Sequence, residues 1–356
     1  MWEERADHTR RDITALAASG LGLDALHAQS IRLVDRVVPT ELTCWATIDP
    51  ETLAISAMAS GDSRLPSRYE PLLADAEYSP GEPYTFAGMA RRNENVSRLS
   101  DRPLREQQSS ARVRNVWRPL GLNQELRVLF VSDDACWGAA GLVRAGRDFS
   151  DREMEYLTAV APAIASATRL AVRSEMSTRP TGGGPAIVVI DARGTILSAT
   201  PEAQHWRELL DEREPGRSSV FMTIMATGAR STRSGAFRAR VRGGDGAWCL
   251  LEASTLIGGE QEDHVAVSIH SAIGEQLLGM LLAAYGLSPR EREVSRQVIA
   301  GYPTTVIAAH LFVTANTVQD HLKSVFAKVG VRSRGELVAR LQPRSDASTL
   351  PEPAVL

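Results

Sequence analysis

Apolar positions recur along the chain in three distinct rhythms. Residues 1–35 carry helical spacing, with Ile13, Leu16, Leu21, Leu26, Ile31 and Val34 set among charges and alanines. Gly20 and Gly22 interrupt it, so two short helices are expected. The segments CWATIDP (44–50) and TLAISAMA (52–59) read as strands around a turn at Asp49-Pro50. The polar stretch 61–126 yields one helix, near 83–97. Next, ELRVLFV (125–131) and CWGAAGLVR (136–144) read as a strand pair joined through Ser132-Asp133-Asp134. A long helix then opens with Ser150 as cap and Glu153 three residues on, a capping box that satisfies two orphan N–H groups. Its expected apolar face is Met154, Leu157, Val160, Ile164 and Leu170, with Pro162 as a kink.

Residues 174–185 (SEMSTRPTGGGP) lack any apolar period and read as a linker. The rhythm resumes as a strand, a turn at Asp191-Ala192-Arg193-Gly194 and a second strand within 186–200, then a helix around 201–212. Three strands alternating at period two follow: 237–243, 248–256 and 264–271. A helical apolar stretch, Gly274 to Leu287, links these to the last module. The final residues, SDASTLPEPAVL, carry the composition of a disordered tail.

Helix signals are strongest near the C-terminus. Ser288 caps, Pro289 takes the first helical position and Glu291 completes a capping box; Gly301 stops the helix. A second helix spans about 303–311, with a tight turn at Phe312-Val313. Thr314 caps a third, ANTVQDHLKSVFAKVG, whose apolar face is Val318, Leu322, Val325, Phe326 and Val329. A fourth spans about 333–341. Two short helices joined by a tight turn, the second polar on its outer side, form a unit suited to a DNA groove.

Charge sharpens this. The 356-residue chain carries a net −3, yet Ala284–Arg344 holds nine basic and four acidic residues, or +5, leaving −8 for the remainder. One basic module on an acidic body suggests a localised polyanion site. Composition is that of a globular protein, and no apolar run reaches the 18 or so residues of a membrane helix. The charged start, MWEERADHTRRD, is not that of a secretory signal, so a cytoplasmic location is expected. Cys44, Cys136 and Cys249 form no CxxC pair and read as buried thiols. Trp45, Trp117, Trp137, Trp206 and Trp248 suit core packing more than the alternative of lining ligand pockets, and His264 and His270 lack a third ligand for a metal. Asp133-Asp134 sits in a hairpin turn rather than at an early strand end, against a phosphoacceptor site. Phosphate loops, nucleophile elbows and kinase signatures are lacking, so no catalysis and no cofactor is expected.

The segment SPREREV…AGYPTTVIAAHLFVTANTVQDHLKSVFAKVGVRSRGELV resembles the LuxR/FixJ-type DNA-binding domain over about 60 residues. Matching positions include Glu291, Gly301, Thr317, Val318, His321, Lys328 and Gly330-Val331-Arg332. The resemblance implies a helix reading the major groove, usually in a dimer. Carried over by position, Val318, Gln319, Asp320 and Lys323 face bases, while Thr314, Thr317, His321 and Lys328 meet phosphates; Asn316 shares the polar face. Chemically, Gln319 suits adenine and Asp320 suits cytosine N4. Pro303-Thr304-Thr305-Val306 and Asp320 depart from the family pattern. Asp320 therefore either reads a cytosine or pairs with a neighbouring cation.

Two further resemblances follow from element order. Helix, strands, helix, strands and a long exit helix ending in DFSDREMEYLTAVAPAIASA are similar to a GAF domain over about 20–172. Two strands, short helices and three antiparallel strands are similar to a PAS domain. The expected organisation is multidomain: an α/β GAF-like unit (1–173), linker (174–185), an α+β PAS-like unit (186–272), connecting helix (273–284), an all-α four-helix DNA-binding unit (285–342) and tail (343–356). The resemblances imply as partners double-stranded DNA, a second copy of the chain, RNA polymerase and a small-molecule effector, with no membrane. An alternative keeps the DNA binding but leaves the sensor-like units as dimerisation platforms.

Overall fold

A computed structural model describes residues 1–176, 184–191, 194–257, 264–272 and 274–341. The expected tail and most of the expected linker lie outside these residues, as does part of the turn at 191–194.

The first unit begins with α1 (Trp2–Ala17) and α2 (Leu23–Asp35), then β1 (Leu42–Ile48) and β2 (Ile55–Ser60). The polar stretch breaks into α3 (Glu70–Tyr78), α4 (Phe86–Arg91), β3 (Val96–Arg98), α5 (Leu104–Ser109) and a π-helical turn, Val113–Trp117. The single helix expected near 83–97 is thus only α4, and the chain there becomes β3. Hairpin β4 (Gln124–Ser132) and β5 (Ala135–Arg144) precedes α6 (Asp151–Ser174). Asp133 and Asp134 both have positive φ, the backbone that a two-residue hairpin turn requires. Glu153 accepts from Ser150 N (2.7 Å) and pairs with Arg144 (2.9 Å), anchoring the start of α6. Leu170, expected on its apolar face, is instead exposed.

The sheet is antiparallel, in the order β2-β1-β5-β4-β3. Helices α1, α2 and α6 cover one face, burying Ile13, Ile31, Tyr156 and Ile164 against Trp45, Val128 and Phe130. Alternation along β4 sends Glu125, Arg127 and Leu129 to the opposite face, which is also covered. There Arg112, fully buried, lies within 3.6 Å of Glu77, Glu82 and Glu125, and Arg127 bonds Glu77 at 2.6 Å.

The second unit runs β6 (Ala186–Ile190), β7 (Ile196–Ala199), α7 (Pro201–Asp211), α8 (Arg217–Ser231), β8 (Ala236–Arg242), β9 (Trp248–Thr255) and β10 (Val265–Ser271). Its antiparallel sheet has the order β7-β6-β10-β9-β8, so both sheets place their strands second-first-fifth-fourth-third. The two units share one core. Helix α8 buries Val220, Phe221 and Ile224 in the same cluster as Leu129 and Val143 of the first sheet. Thr227 Oγ1 donates to Asp75 (2.7 Å) and Ser231 Oγ to the Tyr78 carbonyl (2.9 Å) on α3. Gly228 is required at this seam: a Cβ there would sit 2.5 Å from the Phe237 ring.

Helix α9 (Gly274–Ala284) leads to α10 (Pro289–Ile299), α11 (Thr304–His310), α12 (Ala315–Val329) and α13 (Arg334–Leu341). The β1–β2 turn holds all three units together. Arg240 on β8 pairs with buried Asp49 (2.6 Å) and with Glu51 (2.9 Å), and Glu51 also pairs with Arg296 on α10. Gly279 on α9 makes room for the Glu51 carboxylate.

Candidate nucleic-acid interface

The C-terminal unit closes around one apolar cluster, to which α10 gives Val294 and Val298, α11 gives Ile307, α12 gives Val318, Leu322, Val325 and Val329, and α13 gives Leu337. Full burial of each aliphatic side chain contributes roughly 1.5–3 kcal/mol. The i, i+4, i+7, i+11 spacing on α12 fixes which side faces inward and hence which residues remain outside.

Local chemistry sets the ends. Ser288 Oγ accepts from Glu291 N–H (3.3 Å), and the Glu291 carboxylate accepts from Ser288 N–H (2.7 Å). At α12, Thr314 Oγ1 accepts from Thr317 N–H (3.1 Å), and the two hydroxyls lie 2.8 Å apart. Phe312 takes φ +56° in the turn, whose Leu311 carbonyl accepts from Arg290. Gly330 ends α12 with φ +76°, the left-handed conformation that favours glycine.

Outside this core lie most of the residues expected to contact DNA. Thr314, Asn316, Gln319, Asp320, Lys323 and Lys328 are exposed, while Thr317 and His321 are half-buried. Val318 is a correction: it is fully buried in the cluster and has no surface to offer a base. The helical period that makes Leu322 and Val325 core makes Val318 core too, and this outweighs the position carried over from the family.

The electrostatics are more restrained than charge counting implies. Lys323 Nζ lies 3.2 Å from Asp320 with both side chains more than 70% exposed, a solvent-screened pair that a phosphate can displace cheaply. Lys328 is more firmly held: its Nζ donates to Glu291 at 2.7 Å, beside Ser324 Oγ (2.5 Å). Burial pushes the Glu291 carboxyl up, but hydrogen bonds from Lys328, Ser324 and Ser288 outweigh it and carry the pKa down to about 2. Sequence reasoning saw Glu291 as a cap and as a position matching the family pattern. Its second role, bolting α10 to α12, has no signal in local spacing because Lys328 is 37 residues away. Arg290, which pins the turn, was likewise missed. Arg292, Arg332 and Arg340 form no ion pair among the described residues.

Residues 286–341 match the family model described as bacterial regulatory proteins, luxR family. A putative HTH-type transcriptional regulator of Mycobacterium tuberculosis (strain CDC 1551 / Oshkosh) is 45% identical over 62 residues, 17% of this chain and 7% of that protein. The chain thus spans under a tenth of the length of that relative. Spore germination protein GerE of Bacillus subtilis (strain 168) is 36% identical over 55 residues, 15% of this chain and 74% of GerE. The solved structure described as the phage VqmA-DPO complex overlaps 44% of this chain and 79% of that one, at 16% identity and a TM-score of 0.25, too low to equate the folds. Because its C-terminal unit carries this match and covers most of GerE, the chain belongs to the luxR family of bacterial regulatory proteins.

Proposed function

We propose that the chain is a DNA-binding transcriptional regulator whose α12 reads the major groove, with no catalytic role. The observation that carries this is the two-sidedness of α12. Its inner face is closed core, while Asn316, Gln319, Asp320 and Lys323 stand exposed and uncovered by either N-terminal unit. Gln319 and Lys323 would meet base edges, and Thr314, Thr317, His321 and Lys328 would meet phosphates. Asp320 would first release Lys323.

The N-terminal units would act as GAF-like and PAS-like sensors, a reading supported by their shared strand order and by the helices that cover each sheet. We place the regulator in the cytoplasm as a homodimer on a twofold DNA site, with RNA polymerase as a further partner. Among the described residues no helix is long and apolar enough to cross a membrane. A signal that binds one arrangement of the units better than another would shift DNA affinity through the Asp49–Glu51 turn, which touches both Arg240 and Arg296.

Fluorescence anisotropy of the full chain on a selected DNA site, from low to high salt, tests the reading. Affinity should fall steeply, because each neutralised phosphate releases counterions. Lys323→Ala should weaken specific binding at every salt concentration. Salt-independent binding, or parental affinity in Lys323→Ala, would reject the assigned face.

A further inference from the structure

Between the sheet of the first unit and α8 of the second lies a cavity of about 100 Å³. Its walls are mostly apolar: Ala46, Ile55, Met58 and Leu73 from the first unit, Val220 and Ile224 from α8. Two residues of the lining carry a buried donor without a partner. Arg127 Nε and Trp117 Nε1 are buried and meet no hydrogen-bond acceptor among the described residues. Arg127 is 3% exposed and Trp117 2%. The other guanidinium nitrogens of Arg127 are used, on the Tyr84 carbonyl and Glu77, whereas its Nε lies 3.8 Å from Glu125, beyond hydrogen-bond reach. Buried donors without acceptors are costly; others, such as Trp137 Nε1 and Trp248 Nε1, lie outside this lining, whereas these two belong to residues of one cavity, where an acceptor brought from outside the chain has room.

The lining also restricts charge. Arg112, Arg127 and Arg217 are matched by Glu70, Glu77 and Glu125, so the wall offers no net charge to an ion. Burial pushes the Glu70 carboxyl above its ordinary value, against the pull of Arg217 and Arg64, which marks an environment hostile to charge. In size the cavity falls somewhat below an apolar cavity of about 150 Å³ that accepts benzene.

We propose that this cavity binds a small uncharged molecule of about six non-hydrogen atoms, apolar apart from a carbonyl-type acceptor for Arg127 and Trp117. Because α8 supplies part of the wall, the occupant touches both N-terminal units and ties them together. The proposal stands apart from the DNA-binding reading and is tested without DNA.

The experiment titrates the full chain with cyclopentanone, with its isostere methylenecyclopentane (same shape, no acceptor) and with cyclobutanecarboxylate (an anion). Binding is followed by saturation-transfer NMR. Cyclopentanone should bind at about millimolar concentration, the alkene about threefold or more weaker, and the carboxylate more weakly still. Val220→Trp, which fills the cavity from the α8 side, should abolish ketone binding; Ile224→Phe serves the same purpose if the first variant does not fold. Trp117→Phe should narrow the gap between ketone and alkene. Bound ketone should slow amide exchange in both 124–128 and 217–224. Equal binding of ketone and alkene would overturn the acceptor role. Binding that survives both filling variants would overturn the location. No binding by any of the three probes, or protection confined to one unit, would overturn the proposal as a whole.

Discussion

Substituting Glu291→Gln removes one charge while keeping size and capping shape. In the native unit this carboxylate accepts from Ser288 N–H, Ser324 Oγ and Lys328 Nζ, joining α10 to α12. Its pKa falls from the ordinary 4.5 to about 2. At about 1.4 kcal/mol per unit, that shift is worth about 3 kcal/mol of folding stability at neutral pH. Lys328 is 38% exposed, so water screens part of the ion pair and about 2 kcal/mol is the working expectation. The sign follows from the direction of the shift. A carboxylate held down in the folded state contributes fully above about pH 4.5 and loses that contribution as pH falls toward 2. The difference between parent and Glu291→Gln should therefore be constant from about pH 8 to pH 5 and shrink by about 1 kcal/mol on going to pH 3.5. Amide exchange of α10 and α12 in the full chain, measured across that range, reads it locally. A penalty that does not change with pH, or no penalty at neutral pH, would refute the role given to this ion pair.

Other residues carry equally specific expectations. Arg112→Met leaves Glu77, Glu82 and Glu125 facing an apolar group inside the first unit, and should cost about 3–5 kcal/mol in chemical denaturation. Glu51→Gln weakens the mostly buried pair to Arg240 and the more exposed pair to Arg296, at a cost of about 1 kcal/mol or more for the first and about 0.5 kcal/mol for the second, and should speed amide exchange in α9 and α10 while leaving α12 unchanged.

The C-terminal unit was legible because its signals are local. Caps at Ser288 and Thr314, stops at Gly301 and Gly330, and the α12 period each depend on residues a few positions apart. The same period contradicted Val318 as a base reader, and the buried side chain decides in favour of the period. The N-terminal units were less legible where burial depends on distant partners. Glu125 and Arg127 alternate with Leu126 and Val128 in a way that suggests a wet face, yet both are buried in a charge network completed by Glu77 and Arg112. Helix α8 is buried on nearly every side, its Ser218, Thr223 and Thr227 included, so it lacks the one-sided period that marks a helix, and nothing in its local pattern signals that it serves two cores at once. The short elements between 61 and 123 fall below the length at which any period can be read.

The regulator reading comes down to whether the outer face of α12 touches bases. Selection of bound sequences from a random DNA pool, run in parallel for the parent chain and Gln319→Ala, measures this directly. The parent should recover a defined site, and the variant should lose preference at one base pair per half-site by about 1–3 kcal/mol. Recovery of no common site by the parent, or of the same site with undiminished preference by Gln319→Ala, would contradict it.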